Sequence, residues 1–170
     1  MEGIILVNNV PVDKAGTKVP SNAEIRIKGH IMPYVGRGGY KLEKALKFFK
    51  IDLNGKVVAD IGASTGGFTD CALQNGAVKV YAIDVGTNQL DWKLRTDQRV
   101  INMEKTNIKL VTLETLGEPV DFVCTDISFI SVTKIIPAVK SILKPDGSIA
   151  ALIKPQFEVG REQVGLGGIV

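Results

Sequence analysis

Apolar residues along this chain gather into five runs of strand length, and four of them lead into a charged residue. Val57-Val58-Ala59 leads into Asp60, Val80-Tyr81-Ala82-Ile83 into Asp84, Phe122-Val123-Cys124-Thr125 into Asp126, and Ile149 to Ile153 into Lys154. Val100-Ile101-Asn102 is a shorter fifth. Between these runs the period changes. Leu42, Ala45, Leu46 and Phe49 recur at helical spacing, with Lys41, Lys44 and Lys47 off that stripe. Gly67–Asn75 predicts a helix closed by Gly76, and Thr133–Leu143 predicts another, stopped by Lys144-Pro145-Asp146-Gly147. Strands are predicted at Val57–Asp60, Lys79–Asp84, Val100–Asn102, Val120–Asp126 and Ser148–Lys154. Strands alternating with helices point to a doubly wound α/β fold with a parallel sheet.

The first thirty residues read differently. Ile4-Ile5-Leu6-Val7 is β-prone, Asn8-Asn9 is a turn signal, and Pro11 in Val10-Pro11-Val12 argues for an edge position. Asp13-Lys14-Ala15-Gly16 turns the chain again. Glu24-Ile25-Arg26-Ile27-Lys28 alternates, so Ile25 and Ile27 are expected to face a core while Arg26 and Lys28 face water. The organisation expected is a small β module over 1–29, a glycine-rich linker over 30–38 and an α/β domain over 39–170. The β module is expected to be the latter part of a larger one, and the five-stranded sheet to stop short of a full strand set.

Composition narrows the class without choosing the chemistry. The chain has 170 residues, 45% hydrophobic and 23% charged, an ordinary globular balance with room for a real core. No stretch approaches the ~18 apolar residues of a membrane span, and no basic-then-apolar leader opens the chain. Cys71 and Cys124 stand far apart without ligand-like spacing, so buried thiols in a reducing compartment are expected, with the cytoplasm as location. His30 is the only histidine, which leaves no serine-type triad and no histidine-rich metal site. The net charge of +3 is uneven: residues 1–47 hold eight Lys/Arg against four Asp/Glu, and the rest thirteen against fourteen. The basic end suits an anionic partner such as nucleic acid, or is a solvated charged surface.

The most specific chemistry lies at Asp60-Ile61-Gly62-Ala63-Ser64-Thr65-Gly66-Gly67-Phe68, read with Asp84. Two strands, each finished by an acid and joined by a glycine-opened helix, form a nucleoside-binding half of a Rossmann-like sheet. Gly62 allows a tight turn, and Gly66 and Gly67 start a helix close to a ligand. A dinucleotide site would read G-x-G-x-x-G and set a pyrophosphate on the helix N-terminus. Here Asp60 precedes the first glycine. Its carboxylate would repel a pyrophosphate but suits the ammonium of a methionine moiety, and Asp84 suits the two hydroxyls of an adenosine ribose. The pattern favours S-adenosylmethionine over NAD, with an NAD-type oxidoreductase as the rival enzyme class. Glu104, after the third strand, is placed to meet an adenine amino group or is a surface acid.

Lys41, Asp126 and Lys154 form the second constellation. Asp126 and Lys154 end strands at the same sheet edge as Asp60 and Asp84. From pattern alone the preferred reading is an edge ion pair between Asp126 and Lys154, with Lys41 solvated. The chain resembles the haemolysin-A family within the FtsJ-like ribose 2′-O-methyltransferases. The resemblance rests on Gly36-Arg37-Gly38-Gly39-Tyr40-Lys41-Leu42-Glu43-Lys44, Asp60–Phe68, Thr125-Asp126-Ile127-Ser128-Phe129-Ile130-Ser131 and Ile153-Lys154-Pro155-Gln156-Phe157-Glu158. Residues 3–29 resemble the second half of the small RNA-binding module, of the S-four type, that precedes the catalytic domain in that family. The resemblance implies an S-adenosylmethionine-dependent methyltransferase acting on a ribose 2′-hydroxyl of ribosomal RNA or ribosomal subunits. It implies Lys41, Asp126 and Lys154 as three members of a Lys-Asp-Lys-Glu tetrad. The fourth, a glutamate on a later strand, has no counterpart here, and Glu158 belongs to a different motif. Taken together, the expected cofactor site is Asp60, Gly62, Ala63, Ser64, Gly66, Gly67, Phe68, Asp84, Val85, Glu104 and Asp126. An RNA-binding module with a non-catalytic cofactor fold is the rival. A membrane-active haemolysin, as the family name suggests, is disfavoured by apolar stripes shaped for packing on a sheet.

Overall fold

The computed structural model describes residues 5–14, 16–28 and 32–170, in two compact units that divide between Pro33 and Tyr34. Ile4, Ala15 and His30 lie outside the described residues. In the first unit β1 (Ile5–Val7) pairs antiparallel with β2 (Val10–Pro11) and β3 (Ile25–Ile27), in the order β2-β1-β3. Asn8 and Asn9 both take positive φ, 49° and 66°, which matches a two-residue turn to the twist of its strands. Pro11 sits on an edge strand, where its missing N–H costs no ladder bond. The expected burial of Ile25 and Ile27 is corrected: they are 63% and 56% exposed. Alternation gives a strand two faces but buries one only where a second layer covers it. Strands of two or three residues gather too little apolar surface to hold such a layer.

The second unit opens with α1 (Gly38–Phe49) and then alternates. The order is β4 (Val57–Ile61), α2 (Gly67–Gln74), β5 (Lys79–Ile83), α3 (Trp92–Arg95), β6 (Val100–Met103), α4 (Leu113–Leu116), β7 (Val120–Thr125), α5 (Ile136–Ile142), β8 (Leu143–Ala151) and α6 (Pro155–Glu158). The five strands β4–β8 are parallel, in the order β6-β5-β4-β7-β8. The chain builds outward from β4 to β6 and then returns to the other side of β4 for β7 and β8. That reversal opens a crevice at the carboxyl ends of β4 and β7, the place where open α/β sheets bind ligands.

Strand alternation divides the core between the two faces. Val58, Phe122 and Cys124 pack with Leu42 and Leu46 of α1 and Phe68, Cys71 and Ala72 of α2. Ala59, Ile61 and Val123 pack on the opposite face with Ile135, Val139 and Ile142. Both cysteines are free and buried. Phe49, expected on the buried stripe of α1, is instead 66% exposed: as the last residue of the helix it borders an open groove toward β8. The end of α2 follows the glycine signal. Gly76 takes φ 91°, its N–H donates to the Leu73 carbonyl (3.2 Å), and that of Ala77 donates to the Ala72 carbonyl (3.1 Å), the paired bonds of a Schellman motif.

One boundary needs correction because it places a site residue. Leu143 already pairs with Val120, and Ser148 pairs with Phe122, so the predicted turn Lys144–Gly147 is a bulge carried within β8. The ladder then stops at Ala151, and Lys154 stands three residues beyond it, at the N-terminal cap of α6 with extended backbone. Pro155 explains this. It disfavours helical backbone at the residue before it and is well placed at the first helical position.

Candidate active site

Glycine against glycine builds the crevice wall. A Cβ on Gly67 would lie 2.9 Å from the nitrogen of Gly39 and 3.0 Å from the carbonyl oxygen of Gly36. Only bare backbone lets the first turn of α1 rest on the first turn of α2. Asp70, buried in α2, fixes the approach by accepting the Val35 N–H at 2.9 Å. Lys41, one turn into α1, is thereby brought to the crevice. Gly62, with φ 82°, carries β4 into its turn directly beneath the Asp126 backbone; a Cβ there would lie 3.3 Å from the Asp126 carbonyl oxygen.

Lys41, Asp126 and Lys154 meet although they come from three different elements. Lys41 Nζ donates to Asp126 Oδ2 at 2.7 Å. Lys154 Nζ lies 2.6 Å from Asp126 Oδ1, a charge contact without hydrogen-bond alignment, and donates to Ser128 Oγ at 2.8 Å. Each oxygen of one carboxylate thus faces its own lysine. Burial alone would raise the Asp126 carboxyl, but the two ammonium groups held against it, Lys154 and then Lys41, outweigh burial and keep the group below its ordinary value. Lys154 is the more enclosed lysine, its side chain 19% exposed against 48% for Lys41.

This triad borders a cavity of about 550 Å³. Gly62, Ala63, Ser64, Gly67 and Phe68 also line it, with Arg37, Gly38, Thr65 and Ser128. Asp84 and Val85 line a smaller neighbouring cavity of about 140 Å³, and Gly62 and Ser128 border both. Asp84 also braces the turn, accepting the Ser64 N–H at 2.8 Å and the Gly86 N–H at 2.7 Å.

Three expected cofactor residues sit elsewhere. Asp60 does not line the cavity; it is 1% exposed, turned toward α2, where Thr69 Oγ1 donates to it at 2.7 Å. Its other oxygen is buried without a hydrogen-bond partner. Burial pushes its carboxyl up to about 7, against the opposing Thr69 bonds and with the charges of Asp84 and Asp126 adding to the rise. Gly66 is spaced for packing, since a side chain there would run into Leu94. Glu104 is turned to Arg95 and to the Gln89 N–H (3.1 Å), pinning the loop after β5 rather than facing either cavity. Sequence reasoning assigned no role to Ser128 or Thr69. Their signals were present: a hydroxyl two residues past Asp126, and a hydroxyl on an otherwise apolar helix face.

Comparison with known proteins adds four findings. The model of the FtsJ-like methyltransferase family matches residues 34–170. The YqxC protein of Bacillus subtilis is 52% identical over the whole chain, which spans 61% of it. The 16S/23S rRNA (cytidine-2′-O)-methyltransferase TlyA of Mycobacterium tuberculosis is 43% identical over 99% of the chain, which spans 63% of that protein. Among solved structures, a hemolysin-type protein of Streptococcus thermophilus is 49% identical, with a TM-score of 0.79 over 96% of this chain and 60% of that one. Among the described residues no helix is long and apolar enough to cross a membrane.

Proposed function

Because the chain belongs to the FtsJ-like methyltransferase family, we propose that its second unit binds S-adenosylmethionine at the β4–β7 crevice and methylates a ribose 2′-hydroxyl of ribosomal RNA. The observation that carries this reading is one carboxylate held between two lysines on the rim of a glycine-walled cavity.

The residues present fit such a cofactor. Asp60, Asp84 and Asp126 cluster at the ends of β4, β5 and β7, and the buried Asp60 oxygen has no partner of its own. Asp126 is balanced by Lys41 and Lys154, so the acids left to face a cationic ligand are Asp84 and, when ionised, Asp60. Asp84 and Val85 would hold the adenosine end, and Gly62, Ala63, Ser64, Gly67 and Phe68 the methionine end. Asp60 acts through the field of its charge, because it does not reach the cavity surface. When bound, the cofactor supplies an electrophilic methyl group on a sulfonium, whose sulfur keeps the electron pair as the bond breaks.

The ribose oxygen is a weak nucleophile until its proton leaves. Lys154 is the base once it has given up its own proton: its nitrogen then takes the ribose proton and becomes the ammonium paired to Asp126. Lys41 stays on the other carboxylate oxygen throughout, so Asp126 is never left unpaired when Lys154 is neutral. Lys41 also reaches toward solvent, where it can hold the substrate phosphate backbone. Ser128 accepts a hydrogen bond from Lys154 and limits its swing. Positioning accounts for much of the remaining acceleration.

The test joins calorimetry to methyl transfer. The chain is expected to bind S-adenosylmethionine and not NADH, and to pass labelled methyl to ribosomal RNA or subunits. Binding with no transfer to any ribosomal substrate would favour a non-catalytic RNA-binding role. NADH binding in its place would overturn the reading.

A further inference from the structure

Beyond the sheet, Asp126 and Lys154 ride on two separate loops. The last rung joining β7 to the β8 chain is the Leu152 N–H to the Thr125 carbonyl, 2.9 Å. Asp126 follows on one loop and Lys154 on the other, so no ladder fixes their spacing. A second set of contacts does. Glu158, four residues past Lys154, accepts from Ser131 Oγ at 2.6 Å and from the Val132 N–H at 2.8 Å, five and six residues past Asp126. Its carboxylate therefore spans from the Lys154 loop to the start of the short helix Val132–Lys134 that closes the Asp126 loop. The Phe129 and Phe157 rings add an apolar contact between the same loops, 5.2 Å between centroids.

We propose that Glu158 is a positioning residue that sets the distance between Lys154 and Asp126. The inference rests on the reading of Lys154 as base, and Glu158 itself borders neither cavity of the site. Two charge-assisted bonds from one carboxylate give it directional hold. Those bonds, first from the Ser131 hydroxyl and then from the Val132 N–H, keep its carboxyl below the ordinary glutamate value, so the clamp stays ionised at neutral pH.

The test compares Glu158→Ala, Glu158→Gln and Ser131→Ala, each checked for folding by circular dichroism. The first readout needs no catalysis. The NMR signal of the Lys154 ε-carbon is followed through a pH titration in the chain labelled at lysine. Glu158→Ala is expected to shift that titration, and Glu158→Gln, which keeps an acceptor oxygen, to restore it in large part. The second readout is methyl transfer. Glu158→Ala is expected to lower kcat about tenfold or more, with the affinity for S-adenosylmethionine unchanged. Ser131→Ala added to Glu158→Ala should cost little further, because both break one clamp. Identical Lys154 titration in wild type and Glu158→Ala would overturn the proposal, as would strictly additive losses in the double variant. An inactive wild type would overturn the proposed function instead, and the Lys154 signal alone would then decide the clamp.

Discussion

The two sides of the crevice are held by different forces. On the β4 side main-chain contacts do most of the holding, with the Asp70 and Asp84 carboxylates accepting backbone N–H groups. Gly62 and Ala63 N–H groups both donate to the Ile83 carbonyl, at 2.9 and 3.3 Å, and the Gly66 N–H donates to the Ala63 carbonyl at 2.7 Å. Glycines then let α1 and α2 touch main chain to main chain. On the β7–β8 side the ladder ends early, and charges take over: Lys41, Lys154 and Glu158 each fix a carboxylate or a loop. Backbone packing is indifferent to pH and salt but tolerates no added atoms. Charged side chains tolerate volume but respond to the loss of a single partner. The division puts a rigid cradle beside groups that must gain and lose protons.

The largest effect expected from this contrast is on chemistry alone. Lys154→Ala removes the base while Asp126 keeps Lys41, so no buried charge is stranded. Methyl transfer should fall by about 10²–10⁴-fold, with S-adenosylmethionine affinity within about twofold by calorimetry, a bound set by pairwise loss at a partly exposed site. Near-normal turnover would remove Lys154 from the role of base.

The cradle side should fail through volume instead. Gly67→Ala would push a methyl against the Gly39 nitrogen and the Gly36 carbonyl, neither of which can rotate away. A loss of about 1–3 kcal/mol is expected, read as a lower urea midpoint with an unchanged slope, together with weaker cofactor binding. Ser128→Thr adds one methyl on the charged side, at an exposed residue. It should move stability by less than about 0.5 kcal/mol. Equal losses in the two variants would erase the distinction between the sides.

How far the sequence could anticipate this follows from the same division. The parallel sheet and the positions of its strands were legible, because continuous apolar runs and glycine turns act locally; that Lys41 joins Asp126 and Lys154 was implied by the family resemblance and not by the pattern. The orientation of Asp60 was not. Strand parity sends it to the α2 face with Val58, and whether that face opens to a ligand depends on how closely α2 approaches. Glu104 was misplaced for a similar reason: a solvent-side acid after a strand has several partners within reach, and Arg95 is drawn to it from α3. Ile25 and Ile27 show the limit of periodicity itself, which names a face without saying whether anything covers it.

The last predicted effect isolates Asp60, the one charge on the cradle side that is buried without a cation. Its carboxyl is pushed up to about 7 when folded, chiefly by burial, from 3.8 when free. Between those values the folded state holds a proton that the unfolded state has released. Stability therefore falls as pH rises through that window. Its contribution is fully present below about pH 4 and lost above about pH 7, opposite in sign to the paired acids Asp126 and Asp121, whose carboxyls are held low. Asp60→Asn keeps the shape and an oxygen for Thr69 but cannot ionise. The paired acids are common to both proteins, so the difference between their melting temperatures reports Asp60 alone. The variant should melt higher than wild type by about 3 °C at pH 8, and the gap should close near pH 4. It should also bind S-adenosylmethionine more weakly at pH 8, where wild-type Asp60 is charged. A gap that is the same at both pH values would mean that Asp60 is ionised throughout and paired by a partner still to be found.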